Sequence, residues 1–274
     1  MILSLSEIST VSASLRDDLR AYAAAGFDGI GIWEMKLGDD QADLEAVRAS
    51  GLRVTNCVPV VPSILPNAVI EGPEDVETRL EALCASMHRF ARYEPDCVLC
   101  LTGPAGGRGE ARARELVVDG LRRIAAAAEE AGVRLGLEPI HSSQRADLTL
   151  ITTIPETLDL LDEAGLPQVG VMVDLWHVGD TPEIERHLAE NVNRITGVHV
   201  ADWFAEERSD RALPAERCAE LMRVLHEAGW CGAWDVEIFG DSERPDSLWS
   251  LGVEEAARRA HAAVAAVAPR GDGR

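Results

Sequence analysis

Eight short apolar runs, each followed by a stretch of helical periodicity, limit the possible folds of this chain more than any other feature. The runs fall at residues 2–6, 29–34, 52–60, 97–102, 133–138, 169–174, 195–200 and 232–237. Runs rich in Val, Ile and Leu, without regular polar alternation, read as strands buried on both faces. Such strands are parallel, and consecutive parallel strands need a crossover, most often a helix. Helices are expected at 14–25, 43–50, 74–93, 110–131, 155–164, 182–193, 215–228 and 247–268. Ser14 is placed to cap the first. Gly26, Gly51, Gly132, Gly165 and Gly229 stand where a helix would stop. The proline-rich stretch 58–66 cannot be regular helix and is expected to loop over one end of a barrel. Eight strand–helix units close naturally into a barrel, which needs about 250 residues; the chain has 274. An open doubly wound sheet is the alternative. We therefore expect an α/β fold, a single (β/α)8 TIM barrel over residues 1–268, with 269–274 a disordered tail.

Four of the runs end in a potential metal ligand. Residues 169–177 read VGVMVDLWH, so an apolar run meets Asp174 and then an aromatic and a histidine. The same grammar places Glu138, His199 and Glu237 at the carboxyl ends of the fifth, seventh and eighth runs. In a barrel those ends form the functional face. Because these four strands are consecutive, their ligands must converge on one point, which disfavours the open sheet. Any one of these residues alone reads as a helix cap or a satisfied core residue. Together, three carboxylates and an imidazole form an oxygen-rich site for one divalent metal ion. Mn²⁺ is the first choice, with Mg²⁺, Co²⁺ or Zn²⁺ as alternatives. Carboxylates crowded out of water need such a cation or a proton.

Charge and composition exclude several partners. With 47 acidic and 26 basic residues the formal charge is −21, which opposes binding to nucleic acid or to an anionic membrane. No run of about 18 apolar residues would span a bilayer. The opening MILSLSEISTVS lacks a basic segment and a long apolar core, so no signal peptide is expected and the cytoplasm is the expected location. Six cysteines are scattered. Cys97 and Cys100 sit three apart in one strand and so face opposite sides, which suits reduced buried thiols and not a metal or redox pair.

The motifs LEPIH (137–141), VDLWH (173–177), GVHVAD (197–202) and DVEIF (235–239) resemble those of the xylose-isomerase-like barrels, the sugar phosphate isomerase/epimerase superfamily. Its ketose 3-epimerases and inosose dehydratases carry a similar Glu, Asp, His, Glu set. The resemblance implies that Glu138, Asp174, His199 and Glu237 hold the metal and that His177 contacts a substrate oxygen. It also implies a substrate-binding arginine on the loop after the seventh strand. Arg211 fits that role, with Arg208 as substitute because residues 203–209 look like an insertion. Glu138 and Glu237 would then be the acid/base pair that enolises a ketose or keto-cyclitol through an enediolate, giving isomerisation or epimerisation. The alternative is a lyase on the same scaffold, an inosose dehydratase or a subunit cleaving keto-C-glycosides. An apurinic-endonuclease-like phosphodiesterase is disfavoured, because the histidines that family branch carries at the ends of strands two and three are absent.

Weaker features complete the expected site. Trp33, Trp176 and Trp203 lie near strand ends and could wall a pocket against a sugar or cyclitol, or equally just fill the barrel mouth. Glu34 could bond substrate hydroxyls or simply be a loop carboxylate. The glycine-rich stretch 103–109 with Arg108 could hold a phosphate, although such a loop is more often merely flexible. His88, His187, His226 and His261 fall on helices and are expected at the surface. A homo-oligomer is left open.

Overall fold

In the computed structural model, which describes residues 1–203, 211–245 and 247–269, eight parallel strands close into a barrel. They are β1 (Ile2–Ser6), β2 (Gly29–Trp33), β3 (Arg53–Val58), β4 (Val98–Cys100), β5 (Leu135–Leu137), β6 (Gly170–Asp174), β7 (Ile195–Val200) and β10 (Ala233–Val236). Between the last two, β8 (Asp202–Trp203) and β9 (Arg211–Ala212) form a small antiparallel ribbon. Each barrel strand pairs with its chain neighbours, and β10 closes the ring on β1. The (β/α)8 expectation is met. Arg208 and residues 270–274 lie outside the described residues, as does the side chain of Trp203.

The surrounding helices are α1 (Leu15–Ala25), α2 (Asp40–Ser50), α3 (Val76–Ala91), α4 (Glu110–Ala131), α5 (Ile154–Ala164), α6 (Leu175–Val178), α7 (Ile184–Glu190), α8 (Glu216–Glu227) and α9 (Val253–Val267). Their ends follow capping chemistry. Ser14 accepts from the Asp17 amide and Gly26 closes α1 in the left-handed region. The expected boundaries shift where a cap intervenes. Asp39 accepts from the Gln41 and Ala42 amides, so α2 begins earlier than periodicity suggested. Val133 donates its N–H to Ala128 and completes the end of α4, so β5 starts later than expected. Ser247 caps a 3-10 turn at Leu248–Ser250, and α9 starts only after Gly252. The one-turn α6 and the β8–β9 ribbon were not foreseen.

The main core lies between the strands and the helix layer. A second apolar cluster fills part of the barrel interior and includes Val58, Leu99, Leu101, Ile140, Leu148 and Met172. Cys97 belongs to this inner cluster and Cys100 to the outer core, so the two thiols do face opposite ways; both are free. Below the functional end, Gly31 leaves room for a polar pair. A β-carbon there would stand 2.5 Å from Asp235 Oδ2 and 2.8 Å from Asn56 Nδ2. His261 is half-buried and meets the Phe27 ring edge-on at 5.1 Å, so it is not a plain surface histidine. No helix among the described residues is long and apolar enough to cross a membrane.

Candidate active site

The barrel brings the four strand-end residues together. Asp174 is the last residue of β6, and its Oδ1 accepts from the Trp176 amide at 2.8 Å, capping α6. Glu138 and Glu237 directly follow β5 and β10. His199 lies in β7 and pairs in register with Asp174 on one side and Asp235 on the other. All four are buried. One ligand atom from each of Glu138, Asp174 and His199 lies within 4.8 Å of the others. Glu237 stands at the edge of that trio, its Oε2 3.3 Å from His199 Nδ1.

The donor set fits a divalent cation. Glu138 Oε1 and His199 Nδ1 face each other at 3.6 Å, too long for a good hydrogen bond, and both are buried without a hydrogen-bond partner. Burial pushes the Glu138 carboxyl up to about 7, against the lowering influence of His199. Burial alone would depress the His199 imidazolium, yet Glu237, Glu138 and Asp235 outweigh it and raise the group to about 10. Burial also raises Asp174, opposed chiefly by Arg211. The cluster holds more acid groups than permanent cations, and the surplus charge and open lone pairs are what a divalent ion would satisfy.

Arg211 supplies the fixed positive charge. Its Nη1 lies 2.5 Å from Asp174 Oδ2 and 2.9 Å from Glu237 Oε2. Nη2 lies 3.1 Å from His177 Nε2, while His177 Nδ1 accepts from the His141 amide at 3.2 Å. Both neighbours of that ring are donors, and a neutral imidazole has one acceptor nitrogen. The guanidinium also lies over the rings of Phe239, at 4.6 Å, and Trp176, at 5.3 Å.

A cavity of about 210 Å³ opens beside the cluster, walled by Glu138, Glu237, His177, Arg211, Trp33 and Trp176 among others. Six of the residues expected at the site thus meet around one space. Glu34 does not join them. Its carboxylate accepts from the Val60 amide at 2.9 Å and the Ser86 hydroxyl at 2.7 Å, and pairs with Arg89 at 3.2 Å. It ties the loop after β3 to α3 and does not line the cavity, the arrangement of a loop carboxylate. The 103–109 loop and Arg108 do not line the cavity either. Sequence reasoning missed Phe239, Gln144 and Asp235. Asp235 lies two residues before Glu237 on the same strand and therefore points to the same side; its Oδ2 is 3.5 Å from His199 Nε2 and accepts from Asn56 at 2.5 Å. That parity was a readable signal.

A family model described as the xylose isomerase-like TIM barrel matches residues 19–263. The chain belongs to this family. Among curated proteins, this xylose isomerase-like barrel is similar to the 3-dehydroshikimate dehydratase of Pseudomonas putida, with 25% identity over 260 residues. The match covers 86% of this chain and 38% of the relative's length. Among solved structures it resembles the IolI protein with a bound zinc atom, at TM-score 0.79 and 20% identity, over 97% of this chain and 98% of that one. It also resembles D-psicose 3-epimerase with D-tagatose from Clostridium cellulolyticum H10, at TM-score 0.77 and 16% identity, again over 97% and 98%. At these identities the structural likeness is one of fold.

Proposed function

We propose that this chain is a divalent-metal-dependent enzyme that removes the proton beside the carbonyl of a hydroxylated ketone, a ketose or keto-cyclitol, through an enediolate. One observation carries the reading: Glu138 keeps an unpartnered buried oxygen and lines the cavity next to the strand-end cluster. A carboxylate that borders the substrate space can both take and return a proton. Glu138, Asp174, His199 and Glu237 would hold the ion, with Mn²⁺ the first candidate. Such an ion, when bound, polarises a carbonyl and its neighbouring hydroxyl and so acidifies the proton between them. Glu138 takes that proton. Arg211 and His177 hold substrate oxygens, and the aromatic walls of Trp33, Trp176 and Phe239 keep water away.

Two outcomes share this step. If Glu237 returns a proton to the opposite face of that carbon the product is an epimer, and if the proton goes to the former carbonyl carbon it is an isomer. If Glu138 instead hands that proton to the hydroxyl on the next carbon, the enediolate expels it as water and the product is that of a dehydratase. The second outcome has support from Glu237 itself, whose Oε2 is already held by Arg211, leaving Glu138 the better-placed base. The similarity to 3-dehydroshikimate dehydratase supports it too.

The test is a screen of ketoses, inososes and cyclic hydroxyketones for exchange of the substrate proton with solvent deuterium. Exchange should require added Mn²⁺, Co²⁺ or Mg²⁺ and vanish on chelation. Full exchange in rigorously metal-free protein would refute the reading.

A further inference from the structure

The cavity is built for something less polar than a sugar. Eleven of the sixteen described residues that line it are apolar. Its acidic and basic groups, Glu138, Glu237, Arg211 and His177, all belong to the ligand cluster and its immediate partners. The inner apolar cluster supplies much of the remaining wall, with Val58, Leu99, Leu101, Ile140 and Leu148 lining the space. A polyol seated there would bury hydroxyls against these side chains without hydrogen-bond partners, which is unfavourable for each one. The rim continues the pattern. Apart from the N-terminal Met1, the exposed large apolar side chains among the described residues are Met35, Val60, Val69 and Phe239. All four lie on segments that follow β2, β3 and β10 at this end of the barrel.

One polar lining group stands outside the charged cluster. Gln144, in the 3-10 turn Ser142–Gln144, has a buried Oε1 without a hydrogen-bond partner. A buried amide oxygen in an apolar wall is a costly feature unless something pairs with it. The volume also sets a size. An apolar hole of about 150 Å³ takes up benzene, and this cavity measures about 210 Å³.

We propose that the site takes an enolisable carbonyl compound whose remaining body is a flat, largely apolar ring with a polar substituent that Gln144 recognises. A fully hydroxylated open-chain sugar does not fit this description. The proposal rests on the enolising step given above and puts an arylated carbonyl compound in place of the ketose or keto-cyclitol named there.

The experiment uses the full chain and ligands that share one reactive end. Mn²⁺ binding is measured first by calorimetry, so that metal occupancy is known independently. Hydroxyacetone, L-erythrulose and α-hydroxyacetophenone then carry the same hydroxyketone unit on a methyl, a polyol and a phenyl body. The phenyl compound should bind about tenfold or more tighter than hydroxyacetone, from burial of one ring face and edge. L-Erythrulose should gain nothing. Erythrulose binding as tightly as the phenyl compound would overturn the proposal. Leu148→Asn should erode the phenyl preference. Gln144→Ala should weaken the 4-hydroxyphenyl analogue more than the unsubstituted ring; equal effects would overturn the role of Gln144. If the chain takes up no metal, the enolising function fails. The apolar preference is then read separately from acetophenone against acetone, where equal affinity would overturn it.

Discussion

Removing Arg211 should make the protein bind metal more tightly while making the metal-free form less stable. The guanidinium Nη1 touches Asp174 and Glu237 together, at 2.5 and 2.9 Å, and the side chain is almost fully buried. It therefore serves as the cation for two carboxylates that a metal would also use. Breaking a buried pair by deleting one partner costs about 3–5 kcal/mol, because the other charge is left uncompensated. In Arg211→Gln that cost falls on the metal-free state, and a bound divalent ion removes most of it. If 1.5–3 kcal/mol of the difference appears in binding, affinity rises roughly 10- to 100-fold, at about 1.4 kcal/mol per decade. The melting temperature without metal should fall by about 2–4 °C per kcal/mol lost, and Mn²⁺ should recover most of the drop. Calorimetric titration of parent and variant, paired with melting curves with and without Mn²⁺, reads both quantities. Turnover should fall despite the tighter metal, since Arg211 also faces the substrate cavity. Unchanged or weaker metal binding would refute the view that Arg211 and the ion share the same carboxylates.

Metal affinity should rise with pH between 6 and 8. Glu138 titrates at about 7 and His199 at about 10 in the metal-free cluster, so protons compete with the ion and are lost as pH climbs. Each displaced proton contributes up to about tenfold per pH unit, and titration in buffers of different ionisation heat counts them; a flat profile would contradict the assignment. Asp235→Asn should weaken metal binding about 10- to 100-fold through loss of the carboxylate that stands 3.5 Å from His199 Nε2. The pattern of a positioning role is restoration by Asp235→Glu, and equal metal affinity in all three proteins would remove Asp235 from the account.

The strands and the strand-end cluster were legible because both follow short-range rules. A buried parallel strand is a continuous apolar run, and a strand-end acid or histidine is one residue past it, as with Glu138 after Leu137 and Glu237 after Val236. The apolar half of the cavity was not legible for the same reason. Leu99 and Leu101 face the barrel interior while Val98 and Cys100 face the helices, and all four look alike in a continuous run. The role of Glu34 was not legible because its partners are remote: Arg89 and Ser86 lie on α3, more than fifty residues away. The β8–β9 ribbon, which carries Arg211 back to Asp174, leaves no periodic trace in two-residue strands.

The central claim is that Glu138 moves the proton beside a carbonyl in a metal-loaded site. It is tested most directly by Glu138→Gln, loaded with Mn²⁺ to an occupancy confirmed by elemental analysis. Proton exchange with deuterium oxide is then followed by NMR on whichever substrate the parent exchanges. The account predicts a loss of about 10²–10⁴-fold in exchange, the usual contribution of a general base. A metal-loaded Glu138→Gln protein that exchanges at the parent rate would contradict it.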